Sequence, residues 1–220
     1  MSGTSMASPQ TAGGSMLVKQ YLKENYPSLM AGLSPLDQAE LINRILLSTA
    51  NPILKTNVDE MAGEEVGYWP IRAQGAGLMD LNKATSASAY LSVNGDRPTA
   101  ELGDDPQRTG VYVIPFSVTN IGSETKTYSI STVVQTEDVY REKIPGFDEN
   151  TLSGFISDYT NNGYRLYMTG APKTLDAVVS GDSTVTGAPG ETVSGSVTVT
   201  LTDAAKKWMD TYYPVGGYVE

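Results

Sequence analysis

Apolar residues recur at helical spacing through residues 5–91, and beyond them the period drops to two. From Ser5 to about Asn25, Met6, Ala12, Met16, Leu17, Tyr21 and Leu22 fall near one side of a predicted helix, which Tyr26-Pro27 closes. Pro9 sits too early to break this helix, but it denies the Ser5 carbonyl its usual donor. A second helix is announced by Ser34-Pro35-Leu36-Asp37, a side-chain N-cap followed by proline at the first helical position. Leu36, Ala39, Ile42, Ile45 and Leu46 form its expected buried stripe, and Asn51-Pro52 ends it. Residues 53–70 carry no clear period, and Gly63, Gly67 and Trp69-Pro70 indicate a surface loop. In RAQGAGLMDLNKATSASAYL, residues 72–91, Gly75 and Gly77 separate an extended piece from a short helix and admit close backbone approach. A lone GxG does not make a dinucleotide fingerprint.

After Asn94-Gly95-Asp96-Arg97-Pro98 the alternation begins. Tyr112, Ile114, Phe116 and Val118 face one way and Val111, Val113, Ser117 and Thr119 the other. Asn120-Ile121-Gly122-Ser123 is a turn, and Lys126 to Val134 is expected to return as the partner strand. Pro115 cannot donate to a ladder, so it belongs at an edge or a bulge. Val193, Val197, Val199 and Leu201 alternate with Ser194, Ser196, Thr198 and Thr200, giving the cleanest half-buried strand. A short helix over Asp203 to Asp210 follows, and a strand begins in Val215 to Glu220. Several short strands with turns between them argue for a β-sandwich of fibronectin or immunoglobulin type, short of its last strands and therefore open at an edge. The expected fold class is α+β in two parts, residues 1–92 and residues 95–220.

Composition narrows the function. At 220 residues the chain suits two compact domains. Its formal charge of −10 makes nucleic acid and anionic membrane surfaces poor partners. There is no cysteine, hence no disulfide or thiolate chemistry. There is no histidine either, so no Ser–His pair exists within the chain and the commonest zinc and copper ligand is missing. No apolar run is long enough to span a bilayer, and no signal peptide precedes the first helix.

The candidate chemistry lies at Ser5, among small residues at a predicted helix start. As an N-cap its hydroxyl would accept a first-turn N–H, worth about 1 kcal/mol. As a nucleophile its attack would create an oxyanion beside free N–H groups and the positive end of the helix dipole. Gly3-Thr4-Ser5-Met6-Ala7-Ser8-Pro9, GTSMASP, resembles without a gap the nucleophile motif of the subtilisin-like serine proteases. Residues 10–17 look like the helix that carries that serine, with Ala12 and Gly13 allowing tight packing. RAQGAGLMDLNKA, residues 72–84, resembles the closing segment of the peptidase domain in the large cell-envelope proteases of Gram-positive bacteria, the lactocepin and C5a-peptidase group. TAELGD, YVIPFSVTNIG and TDAAKKWMDTYYPVGGYVE resemble the fibronectin-like domain that follows in those enzymes.

The resemblance implies peptide-bond hydrolysis through an acyl-enzyme on Ser5, with the Ser5 backbone N–H as one oxyanion donor. It implies a protein or peptide substrate and a secreted or wall-associated parent. It also implies that the triad aspartate and histidine, and a side-chain oxyanion asparagine, lie upstream of Ser5. The chain is then expected to be a fragment, inactive alone, that carries helices from the end of an α/β peptidase domain. Met16, Leu17, Ile42, Ile45 and Leu46 would be left as an exposed apolar surface and the helical part poorly stable, the missing N-terminal part being the natural partner. Lys19 cannot replace the imidazole, since fourteen residues of helix put it about 21 Å from Ser5. Two rival readings remain: a non-enzymatic surface module built on the sandwich, and a two-chain enzyme whose other chain supplies Asp and His. No cofactor is expected; acidic pairs such as Asp104-Asp105 or Asp148-Glu149 could bind calcium, but solvated loop charge is the preferred account of them.

Overall fold

The computed structural model describes residues 3–55, 67–95, 97–103, 105–143, 160–161 and 164–212. The predicted Val215 to Glu220 strand, Gly63, Asp104, Asp148 and Glu149 lie outside the described residues. The chain opens with three helices, α1 Thr4–Asn25, α2 Pro27–Gly32 and α3 Pro35–Ser48. Pro9 is accommodated inside α1. Tyr26-Pro27 closes α1 at Asn25 as expected, and Pro27 then occupies the first position of α2, where its missing N–H costs nothing. At α3 the predicted cap is present as a full capping box. Ser34 Oγ accepts from the Asp37 N–H at 3.2 Å while the Ser34 N–H reaches an Asp37 carboxylate oxygen at 3.3 Å.

These helices form their own core. Val18, Leu22, Met30, Leu41, Ile42, Ile45, Leu46, Ala84 and Ala87 are buried together. The expected exposed surface therefore splits in two. Ile42, Ile45 and Leu46 are covered within the chain, whereas Met16 and Leu17 are 68% and 50% exposed. The stripe on α3 is also displaced from its expected phase. Leu36 (69% exposed) and Ala39 face solvent, and Leu41 joins Ile42, Ile45 and Leu46 in the core.

Short strands β1 Leu54–Lys55 and β2 Gly67–Tyr68 pair with each other. The piece expected to be extended before Gly75 is instead a helical turn, α4 Ile71–Gln74, followed after the glycines by α5 Leu81–Ala84. Gly77, at φ 114°, does require the absence of a side chain. Asn51 and Leu78 exchange two backbone hydrogen bonds of 2.8 Å beside it, and a Cβ on Gly77 would overlap the Asn51 carbonyl.

The remaining elements are β3 Ala89–Val93, β4 Val111–Asn120, β5 Lys126–Ser129, β6 Gln135–Lys143, β7 Thr160–Asn161, β8 Tyr164–Thr174, β9 Ala177–Gly181, β10 Thr184–Gly187, β11 Thr192–Leu201 and α6 Asp203–Tyr212. All pairing is antiparallel, in sheets ordered β3-β4-β11-β9, β10-β5 and β6-β8-β7. The first two share one core, in which Phe116, Val118, Val197, Val199 and Leu201 meet Tyr128, Ile130 and Val185, with Ala205, Trp208 and Met209 of α6 against it. The alternation read from β4 and β11 matches their inner faces. The expected pairing of β4 with the segment from Lys126 does not occur, because β4 already has β3 and β11 on its two sides and β5 joins β10.

Pro115 lies at a local edge. The β3 ladder ends at Val93 opposite Phe116, and the Asn94 N–H then donates to the Pro115 carbonyl. Carbonyl and nitrogen of one strand residue point the same way, so the absent N–H faces the side where β3 has stopped. Asn120, fully buried, holds the turn that follows: its amide donates to the Glu124 and Gly187 carbonyls and accepts from the Gly122 N–H.

Candidate active site

Gly3 starts α1 with φ 140° and ψ 167°, a conformation open to glycine and strained for other residues. Its carbonyl accepts from the Met6 and Ala7 N–H groups at 3.0 and 3.2 Å. Ser5 is thus the second residue inside the helix and not its cap, and among the described residues no side chain caps α1. The Thr4 and Ser5 N–H groups belong to the first turn, where no intrahelical carbonyl is available. Thr11 and Ser15 donate their hydroxyls to carbonyls one turn back, Ala7 at 3.2 Å and Thr11 at 2.8 Å. Ser5 is too close to the helix start for such a bond, its side chain is exposed, and its hydroxyl has no partner among the described residues. Pro9 removes the donor that would otherwise occupy the Ser5 carbonyl.

The middle of α1 is held by the RAQGAGLMDLNKA segment. A Cβ on Gly14 would come within 2.7 Å of Met79 Sδ and 2.9 Å of Leu81 Cδ2, so the MDL segment leading into α5 is seated directly on the helix backbone. Ala12 and Gly13, the positions expected to pack tightly, are exposed, and Gly13 has open space around it. Tyr21 Oη donates to the Ala87 carbonyl at 2.9 Å. Burial, then the neighbouring Tyr26 hydroxyl, pushes the Tyr21 phenol above its ordinary range. Asp80 organises α5. It accepts from the Lys83 N–H at 3.0 Å and from Asn51 Nδ2 at 2.9 Å, and these bonds, the first foremost, hold its carboxyl below the usual range. Sequence reasoning missed Gly14, Met79 and Asp80; the Gly13-Gly14 pair was the available signal, and only packing distinguishes its members.

Among the described residues no lysine or carboxylate is hydrogen-bonded to Ser5, and no three metal-ligating side chains gather. Lys19 lies on α1, further along the same rod. Both Asp105 oxygens are engaged by its own loop: Oδ1 accepts from the Thr109 N–H and hydroxyl at 2.9 and 3.1 Å, and Oδ2 from the Gly110 N–H at 2.7 Å. Among the described residues, the arrangement at Ser5 offers an accessible hydroxyl beside a backbone N–H with no partner, and nothing that takes the hydroxyl proton.

The chain is similar over part of its length to bacterial peptidases. It is 33% identical over 92 residues to a C5a peptidase of Streptococcus pyogenes, covering 42% of this chain and 7% of that protein. It is 32% identical over 148 residues to the PII-type proteinase of Lacticaseibacillus paracasei and the PI-type proteinase of Lactococcus lactis subsp. cremoris, covering 64% of this chain and 7% of each. The chain thus spans about 7% of the length of the curated relatives it matches. No protein-family profile matches it.

Proposed function

We propose that Ser5 is the nucleophile of a subtilisin-like serine endopeptidase of the Gram-positive cell envelope, and that this chain is one part of that enzyme. The observation that carries the reading is the GTSMASP helix start, which leaves the Ser5 hydroxyl and N–H both accessible and unpartnered among the described residues. The partial similarity to named proteinases supports it. In the reaction Ser5 Oγ bonds to the scissile carbonyl carbon as its proton passes to an imidazole, and the developing oxyanion accepts from the Ser5 N–H. Collapse expels the amine, which takes that proton, and water then releases the acyl group. A chain with no histidine needs the imidazole, its aspartate and a second oxyanion donor from elsewhere in the catalytic domain. By itself it is inactive. The two sheets around the shared core would be a fibronectin-like domain following the peptidase domain.

A fluorophosphonate probe tests this. It should not label the isolated chain, and should label Ser5 when the parent's aspartate- and histidine-bearing segment is supplied, with Ser5→Ala abolishing the signal. Ser5-dependent labelling of the chain alone would overturn the account of it as an inactive part. Ser5→Ala should also leave the thermal midpoint unchanged, because no contact of the hydroxyl is lost.

A further inference from the structure

The sheet β3-β4-β11-β9 has two unlike edges. At β3 the Leu91 N–H donates to Ser48 Oγ at 2.9 Å, and α3 lies alongside. At β9 the hydrogen bonds fix which groups face outward. The Asp182 N–H donates to the Ser196 carbonyl and the Thr202 N–H to the Asp176 carbonyl, with Ser180 opposite Thr198 and Val178 opposite Thr200 between them. Even-numbered positions from Asp176 to Asp182 therefore face β11, and at Asp182 it is a carboxylate oxygen, Oδ2, that accepts from the Ser196 N–H at 2.8 Å. Ala177, Val179 and Gly181 direct their N–H and carbonyl groups away from β11. Among the described residues nothing donates to or accepts from these outward groups.

Sheet edges are ordinarily blunted by charge, proline, a bulge or a covering segment. AVVSG carries no charge and no proline, pairs with β11 without a bulge, and leaves Val178 and Val179 62% and 45% exposed. Charge sits only at its two ends, on the exposed Asp176 and Asp182.

We propose that β9 is a strand-addition site for an extended peptide with an uncharged, β-branched middle, a basic residue opposite Asp176 and another opposite Asp182. The main-chain groups of Ala177, Val179 and Gly181 would bind the peptide backbone, and Val178 would line its outer face. A second copy of the chain is the rival occupant. Self-pairing of β9 about Val179 aligns Ala177 with Gly181 and engages every outward group, but it sets Asp176 against Asp182 at both ends. Like charges directly opposite are unfavourable, whereas a basic-ended strand is attracted at both ends and by the overall charge of −10. This inference is independent of the reading of Ser5.

The test is a titration of the isotopically labelled chain with the blocked heptapeptide acetyl-Lys-Val-Thr-Val-Thr-Val-Lys-amide. Saturable slowing of amide exchange is expected at Ala177, Val179 and Gly181, while Val178 and Ser180, already bonded to β11, do not change. The same peptide with glutamate ends should bind roughly tenfold more weakly, given two reversed end pairs. Val179→Pro removes an outward N–H that β11 does not use, so it should abolish binding with the circular dichroism unchanged. Asp176→Lys, a surface change, should shift the preference toward the glutamate-ended peptide whether or not the proline variant folds. Uniform or absent protection, or equal binding of the two peptides, would overturn the proposal. So would protection of the three amides in the free chain: a rise with protein concentration would mean a second copy, and no dependence would mean an edge already covered.

Discussion

At the scale of single residues, adjacent glycines on α1 have opposite prospects. Gly13 is exposed with open space about it, so Gly13→Ala should stabilise the chain by about 0.5–1 kcal/mol through helix propensity. Gly14 faces Met79 and Leu81, and Gly14→Val should cost about 1–3 kcal/mol by overpacking. Urea unfolding of the two variants measures both. Asp105 carries a pH prediction. Hydrogen bonds from the Gly110 N–H first, and then from Thr109, hold its carboxyl below the usual value. A depressed folded-state pKa contributes stability that is present above about pH 4 and is lost as pH falls through the lower folded value. Unfolding curves from pH 6 downward should therefore fall less steeply in Asp105→Ala than in the unaltered chain. Ser5 is legible in the sequence because its motif is local and contiguous; Gly14 is not, since its role depends on a methionine far along the chain.

At the scale of elements, the α3 start is legible down to its hydrogen bonds. The capping box uses only Ser34 and Asp37, and Ser34→Ala should cost about 1 kcal/mol, read as a lowered denaturation midpoint. The phase of the α3 stripe is harder to read, because an exposed leucine such as Leu36 keeps the helical spacing of a buried one. Strand alternation in β4 and β11 gave their inner faces correctly. It could not give their partners, because a period of two says which side is buried and nothing about which distant strand lies next door. Hence β5 crosses to β10, against the simpler expectation of a hairpin.

At the scale of the whole molecule, the helical layer and the four-stranded sheet meet at β3. Tyr90 packs on the helical core while Ala89 and Val93, on the opposite face, pack on the core between the sheets. Ser48 adds hydrogen bonds to Leu91. Ile45→Ala should therefore cost about 2–5 kcal/mol and also loosen β3 and its neighbour β4. Hydrogen exchange resolved by segment checks this: loss of protection confined to the helices would mean that the layers unfold separately. A second tie joins α4 to the three-stranded sheet, where exposed Arg72 Nε donates to the buried Glu137 carboxylate at 2.7 Å. Neither junction can be read from periodicity, because both bring together residues far apart in sequence.

The seat of α1 at Gly14 has a mechanical side. Everything from Gly3 to Gly13 is exposed, so about 15 Å of rod extends beyond its clamp at Gly14, with Ser5 in the outer part. The deflection of a cantilever grows steeply with its unsupported length, and an ångström of misalignment can cost a reaction about a hundredfold. On the proposed reading of Ser5, the precision of its attack would come from whatever grips the outer half of the rod.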